Sequence, residues 1–436
     1  MTLSWFSIVR LGLVQMCLGA IVVLTTSTLN RLMVVELSMP AVLPGLLVGL
    51  HYAIQITRPT WGYRSDTGGK RTRFIILGMT CLGLGGFLAA GGMVVMQSSF
   101  ALGLVLSIAA YALIGLGVGA SGTSLLALLA TTTHPRRRAA AATITWFTIT
   151  WLMMIFGIAV TATIVGKYLD PYSPALLLKL VAIVCINAVA LTCVAIAGIE
   201  AQHVADSAPQ PRPLPFRKGL AEVWTEPRAR NFTLFIFLSM TAYFMQELIL
   251  EPYAGFAFAF TPGQSTQLSG AQNGGVFVGM LLVGIAATGL RIGSLRSWVT
   301  LGCIGSAGAL VTLAAAGQLA IGAQILQPAT VALGLFNGMF AVAAIGSMMA
   351  LAGEGRAARE GTRMGLWGAS QAIAAGFGGL MGAAAVDVIR LFTAAPTAFG
   401  IVFVAEAVLF GVAAVMALQI IDGAERAPGS NLVPGE

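Results

Sequence analysis

Glu247 and Glu251 stand four residues apart in an otherwise apolar stretch, Gln246-Glu247-Leu248-Ile249-Leu250-Glu251-Pro252-Tyr253-Ala254-Gly255. On an α-helix that spacing brings both carboxylates to one face. A charge at the centre of a bilayer costs a few kcal/mol, so acids kept there point to ion pairing, ligand binding or proton transfer. Arg31 and Glu36 close an earlier apolar run. If the two runs face each other, an ion network Arg31–Glu36–Glu247–Glu251 follows. The competing reading is an interfacial cluster that merely ends two helices. Glu406 lies in mid-run without a sequence partner. A lone carboxyl there is cheapest as the neutral acid, which makes it a candidate proton site. His51 is the one histidine inside an apolar run. Its neutral imidazole suits axial ligation of a metal, and hydrogen bonding between helices is the competing use. Asp387 and Arg390 close a further run and pair most simply with each other, while His134 and His203 fall in loops and are given no role.

These groups must be held by elements made almost wholly of apolar residues. Of the 436 residues, 57% are hydrophobic and 9% charged, and 53 more are glycine. A soluble domain carries about 25% charge. Soluble, disordered and nucleic-acid-binding classes are therefore excluded, and the chain is an integral membrane protein. A spanning helix needs about 20 apolar residues, because lipid leaves no backbone group satisfied from outside. Such runs occur at roughly 11–36, 42–61, 74–96, 100–130, 140–166, 175–199, 231–256, 269–290, 297–317, 323–351, 364–387 and 396–421.

Orientation tests that division. With twelve spans, 20 of the 24 basic residues fall on the side of both termini, leaving Arg31, Lys167, Lys179 and Arg390 on the other. Basic residues gather in cytoplasmic loops, so both termini are expected in the cytoplasm. The net charge of +8 is thereby absorbed by topology and by anionic lipid, with no nucleic-acid partner. The N-terminus lacks a basic segment ahead of a short apolar stretch and a cleavage site, so the first span is read as retained. All five cysteines (Cys17, Cys81, Cys185, Cys193 and Cys303) lie in apolar runs without a C-x-x-C pair. They read as small buried hydrophobes, with no disulfide framework or thiolate metal site.

The longest polar stretch, about 200–230, carries Pro209, Pro211, Pro213 and Pro215, a spacing that blocks helix and favours extended chain. It divides the chain into a six-span half at about 1–199, a second at about 231–421 and a tail from about 422. Six plus six about a cytoplasmic linker resembles the all-α major facilitator superfamily of transporters, whose halves rock about a midplane site. Gly62-Tyr63-Arg64-Ser65-Asp66-Thr67-Gly68-Gly69-Lys70-Arg71 resembles that superfamily's loop G-x-x-x-D-(R/K)-x-G-(R/K)-(R/K), with Thr67 in place of a basic residue. The resemblance implies a gating role for Gly62, Asp66, Gly69, Lys70 and Arg71. An ordinary positive-inside loop is the alternative, and the matching loop Gly289-Leu290-Arg291-Ile292-Gly293-Ser294 lacks the acid. The amides and small residues of Gln272-Asn273-Gly274-Gly275 are explained by helix packing. No Walker A, G-x-S-x-G or H-E-x-x-H sequence is present, which argues against an ATP-driven pump or a hydrolase.

Several segments carry a closer resemblance. The seventh-span stretch quoted above, Phe260-Thr261-Pro262-Gly263-Gln264-Ser265-Thr266, Leu29-Asn30-Arg31-Leu32-Met33-Val34-Val35-Glu36-Leu37, Arg58-Pro59-Thr60-Trp61-Gly62-Tyr63-Arg64-Ser65-Asp66 and His134-Pro135-Arg136-Arg137-Arg138 look like the bacteriochlorophyll-delivery family of PucC/LhaA-type proteins. The resemblance implies a non-enzymatic protein of the bacterial photosynthetic (intracytoplasmic) membrane that assists light-harvesting assembly. It would hand bacteriochlorophyll, or a late precursor, to antenna polypeptides, the reaction-centre complex or chlorophyll synthase. It further implies cargo contacts at Arg31, Glu36, Glu247, Glu251 and Tyr253, with His51 as candidate axial ligand to the pigment magnesium; water or a backbone carbonyl remains an alternative. A reading from another class is a proton-coupled transporter of a small amphiphile that uses Glu247, Glu251 or Glu406.

Overall fold

The computed structural model describes residues 5–58, 61, 71–131, 140–199, 224–290, 292–353 and 360–421. Among them, regular structure is helical throughout and forms twelve rods. The first, α1, runs from Trp5–Val23 through a π turn Leu24–Thr28, a single turn Leu29–Arg31 and a second π turn Leu32–Glu36. α2 is Val42–Ile54 with a 3₁₀ turn Gln55–Thr57; then come α3 (Arg71–Met96), α4 (Phe100–Thr131), α5 (Ala140–Tyr168) and α6 (Pro174–Ile196). The second half holds α7 (Pro227–Phe258), α8 (Pro262–Gly284, with a π turn Ile285–Gly289), α9 (Leu295–Ala316), α10 (Gly322–Gly353), α11 (Glu360–Arg390) and α12 (Ala395–Ile420). Among the described residues, ten helices are long and apolar enough to cross a bilayer, and Val42–Ile54 and Leu152–Tyr168 are shorter apolar segments.

The packing repeats. In the first half α1 touches α5 and α6, α2 touches α4, and α3 touches α4 and α6. Adding six to each number gives the principal pairs of the second half: α7 with α11 and α12, α8 with α10, and α9 with α10 and α12. The halves meet through α2 against α11 and α5 against α8, two contacts that the same shift interchanges. This is the twelve-helix, six-plus-six major facilitator arrangement. Glycine sets how closely the rods approach, as small residues do in lipid, where helices gain nothing from hiding apolar surface. A Cβ on Gly263 of α8 would lie 2.5 Å from the Gly166 carbonyl oxygen of α5, so the two backbones cross in contact.

Helix ends differ from the expected ones where polar residues continue an apolar run. α8 begins at Pro262, seven residues before the expected 269, because Thr261 caps it and Gln264 returns the bond to Thr261 N–H. That reciprocal box satisfies two orphan donors, so a first turn of Gln264-Ser265-Thr266 stays helical. α7 begins at Pro227, inside the stretch assigned to the linker, with proline at a position where its missing N–H costs nothing. α11 runs on to Arg390. The loop residues Gly62, Asp66, Gly69 and Lys70, and residues 200–223 of the linker, lie outside the described residues; Arg71 opens α3.

Candidate functional site

One side of α7 records where the space between the halves ends. Leu234 is 47% exposed, Phe237, Phe244 and Glu247 are half-buried, and Glu251, one turn further, is 1% exposed. Exposure on this side of α7 thus falls from Leu234 to Glu251. Aromatic rings of both halves meet one turn before Glu247. Tyr52 of α2 meets Phe244 of α7 edge to face, ring centres 5.9 Å apart, and Phe244 meets Tyr243 at 5.1 Å. Thr26 of α1 is buried, and its hydroxyl donates to the Val22 carbonyl at 3.2 Å.

Beyond Glu247 the halves are sealed. Thr266 of α8 donates to Thr28 of α1 across the halves at 3.3 Å, and within the second half Ser269 of α8 donates to Glu251 Oε1 at 2.5 Å. Glu251 Oε2 has no partner among the described residues. Arg31 is ion-paired with Glu36 at 2.5 Å and donates to the Phe260 carbonyl at 2.6 Å. The expected four-member network is thus divided. Arg31 and Glu36 pair, while Glu251 binds the Ser269 hydroxyl.

Proline explains another link. Pro252 has no N–H to give to the carbonyl four residues back, Leu248. Asn30 Nδ2 of the opposite half donates to that carbonyl at 2.7 Å. The π turns of α1 act in a similar way. Each admits one extra residue and turns the exposed face by about 100°. The Thr25 carbonyl within the first accepts from the Tyr111 hydroxyl at 2.8 Å.

Two acid clasps close the far end, and they are related by the same shift of six helices. Asp387, near the end of α11, accepts from the N–H groups of Ala41 (3.0 Å) and Val42 (2.7 Å) at the start of α2. Asp170, just beyond α5, accepts from the Thr261 hydroxyl at the start of α8 (2.9 Å). An acid is stabilised at a helix N-terminus by free N–H groups and the helix dipole. Asp387 is therefore not engaged with Arg390, whose guanidinium lies 4.2 Å from the Phe256 ring centre.

The remaining expected residues lie elsewhere. His51 is 3% exposed. Arg58 donates to Gln55 Oε1, which fixes the amide so that Gln55 Nε2 donates to His51 Nε2 at 2.9 Å. The imidazole lone pair is thereby taken, and a ligand role for His51 requires that bond to break. Tyr253 points away from the cleft. It is fully buried in the second half, donates to the Leu313 carbonyl at 2.7 Å and packs on Phe258, Phe399 and Phe403. Glu406 is 0% exposed on α12, and neither carboxyl oxygen has a partner among the described residues. The sequence reading missed Thr26, Thr28, Tyr52, Tyr243, Thr266 and Ser269. The buried run Thr25-Thr26-Ser27-Thr28 followed by Asn30 was the available signal, since five polar residues inside a span need partners. A separate groove of about 650 Å³ between α9 and α10 is lined by Gly308, Thr312, Gln324, Pro328 and Phe336, and no ionisable group lines it.

Comparison with known proteins decides the family. The model described as PUCC protein matches residues 28–424. The chain belongs to the PUCC protein family. It is 64% identical over 430 residues to the "Bacteriochlorophyll synthase 44.5 kDa chain" of Rhodobacter capsulatus, covering 98% of this chain and 99% of that protein. It is 26% identical over 406 residues to "Protein PucC" of Rhodovulum sulfidophilum, covering 88% and 86%. Among solved structures, the peptide transporter POT in complex with sulfate superposes with a TM-score of 0.68 at 15% identity, covering 96% of this chain and 94% of that one. That last likeness concerns the fold.

Proposed function

We propose that this PUCC family member is a carrier rather than a catalyst. It binds bacteriochlorophyll, or a late precursor, in the cleft between its halves and hands it to light-harvesting assembly. The observation that carries this reading is the aromatic contact between the halves: the Tyr52, Phe244 and Tyr243 rings meet within one turn of the half-buried Glu247. A phytylated tetrapyrrole is apolar except for its metal and carbonyl groups, so it needs greasy, aromatic walls and few polar contacts. The printed name of the 64% identical relative joins the same pigment to this fold. The residues present fit such a cargo, because a carboxylate oxygen suits magnesium and Tyr and Phe rings suit a flat macrocycle. When bound, the magnesium would supply one open coordination position.

In this reading the termini and the open cleft face the cytoplasm of a photosynthetic bacterial membrane. Antenna polypeptides, the reaction-centre complex or chlorophyll synthase receive the cargo there, and anionic lipid meets the basic loops. Residues about 200–230 link the two halves, and the loop with Asp66 and Arg71 gates the cleft mouth. Full-length protein purified from a pigment-producing host is expected to carry near-infrared absorbance and extractable pigment. Colourless protein would count against the carrier reading. The solved-transporter fold favours one other reading, a proton-coupled carrier of a small amphiphile that uses Glu247, Glu251 or Glu406. It requires substrate-dependent proton movement in proteoliposomes, abolished in Glu247→Gln.

A further inference from the structure

We propose that the groove between α9 and α10 holds one acyl chain of a zwitterionic membrane phospholipid, whose headgroup ammonium donates at the groove mouth. The inference stands apart from the pigment reading. Proline makes the groove. Pro328 lies inside α10, and its ring pushes against the carbonyl of Gln324, so the helix bends there. The two rods touch in the middle of the bundle and part beyond it. A Cβ on Gly302 of α9 would lie 2.6 Å from Phe340 N of α10, and one on Gly305 would run into the Phe336 ring. One turn further, a Cβ on Gly308 would meet nothing within 4 Å. The space left is about 650 Å³, within the range of about 300–1,000 Å³ usual for small-molecule sites.

The position of the groove decides what fills it. Gly308, Thr312, Gln324 and Pro328 are exposed on the outside of the bundle, flanked by exposed Val311 and Val331, so the groove faces lipid. From Gln324 to Phe336 is about 18 Å along α10, close to the depth of one leaflet in a hydrocarbon core about 30 Å thick. A partner helix crosses both leaflets and would need the opening to continue past Gly302, where the rods are closed together. An acyl chain needs one leaflet only. Left empty, the walls would lose van der Waals partners on one side. Thr312 gives its hydroxyl to the Gly308 carbonyl at 2.9 Å, which keeps the wall apolar. The outer end differs. Pro328 has no N–H for the Gln324 carbonyl, and no side chain among the described residues donates to it. A bare acceptor at the membrane surface suits an ammonium donor, and the Gln324 amide beside it can donate to phosphate. No Asp, Glu, Lys, Arg or His occurs from Ser297 to Gly353, so nothing there answers the net charge of an anionic lipid.

The test uses full-length protein reconstituted into nanodiscs of equal parts phosphatidylethanolamine and phosphatidylglycerol. Native mass spectrometry then counts the phospholipid that stays bound on release. Wild type is expected to keep phosphatidylethanolamine in preference to phosphatidylglycerol. Gly308→Phe fills the groove from a position with open space, so it is expected to melt as wild type does and to retain about tenfold less phosphatidylethanolamine. Gly91→Phe on α3, where a Cβ also meets nothing within 4 Å, is expected to leave retention unchanged. Pro328→Ala returns an N–H to the Gln324 carbonyl and is expected to lower retention by a second route, independent of how Gly308→Phe folds. Equal retention in wild type and both groove variants would overturn the assignment. So would equal retention of the two lipids by wild type, or a copurifying protein displaced by Gly308→Phe in place of lipid.

Discussion

Glu247 and Glu251 lie one turn apart on the same helix, yet they occupy two different regions of the molecule. Glu247 is half-buried one turn beyond the aromatic contact between the halves, whereas Glu251 is 1% exposed and bound by Ser269 within the seal. The difference marks the boundary between the open and closed parts of the bundle. Residue type and spacing would have made the two acids equivalent. Their neighbours separate them: Tyr243 stands one turn before Glu247 on the same helix, whereas Ser269 of α8 binds Glu251.

The largest expected effect comes from forcing that boundary open. Gly263→Leu places side-chain atoms where the α5 and α8 backbones touch, with a Cβ 2.5 Å from the Gly166 carbonyl oxygen. Overpacking of this kind costs about 1–3 kcal/mol or more. The variant is expected to lower the melting temperature in detergent and to make the far end reactive to a water-soluble thiol reagent through a cysteine introduced at Ala41. Wild-type melting and an unreactive probe would mean that the crossing does not hold the seal.

Two smaller changes sharpen the division. Asn30→Leu leaves the Leu248 carbonyl unpaired beside Pro252 and is expected to cost about 1–3 kcal/mol of stability, with no direct loss of the aromatic contact. Thermal stability well below wild type with pigment binding intact in the remaining folded protein is the expected pattern. Asp387→Ala removes the acceptor at the start of α2 and is expected to cost about 1 kcal/mol. Its partner clasp, Asp170 with Thr261, remains, so Asp170→Ala added to Asp387→Ala should lower the melting temperature further than either alone. The smallest effect is expected at Glu251. Glu251→Gln keeps an oxygen for Ser269, so pigment content should stay near wild type, measured by extraction against protein mass. A loss equal to that of Glu247→Ala would erase the distinction between the two acids.

Much of the fold was legible because bilayer insertion writes its demands locally. Each span needs its own apolar run and each loop its own basic residues, so the twelve helices could be counted from the sequence. The start of α8 was not legible, since a capping box overrode the polar turn Gln264-Ser265-Thr266. In the site, the sequence exposed the acids and the arginine, which are rare in lipid. It did not show that Arg31 would keep Glu36 and leave Glu251 to Ser269, because that depends on which helix face each residue reaches. The two π turns of α1 changed those faces. Tyr253 read as part of the site because it adjoins Glu251, yet two residues along a helix turn it to the opposite side, into the core of the second half. Asn30 is legible only with Pro252 in view, as a donor matched across 218 residues to the carbonyl that a proline frees.

The central claim is that the pigment binds where the aromatic rings of the two halves meet beside Glu247. The most direct measurement is pigment extracted per protein from full-length wild type and from Glu247→Ala, both purified from the same pigment-producing host. Pigmented wild type with about tenfold less in the variant is the predicted result. A colourless wild type, or equal pigment in both, would contradict it.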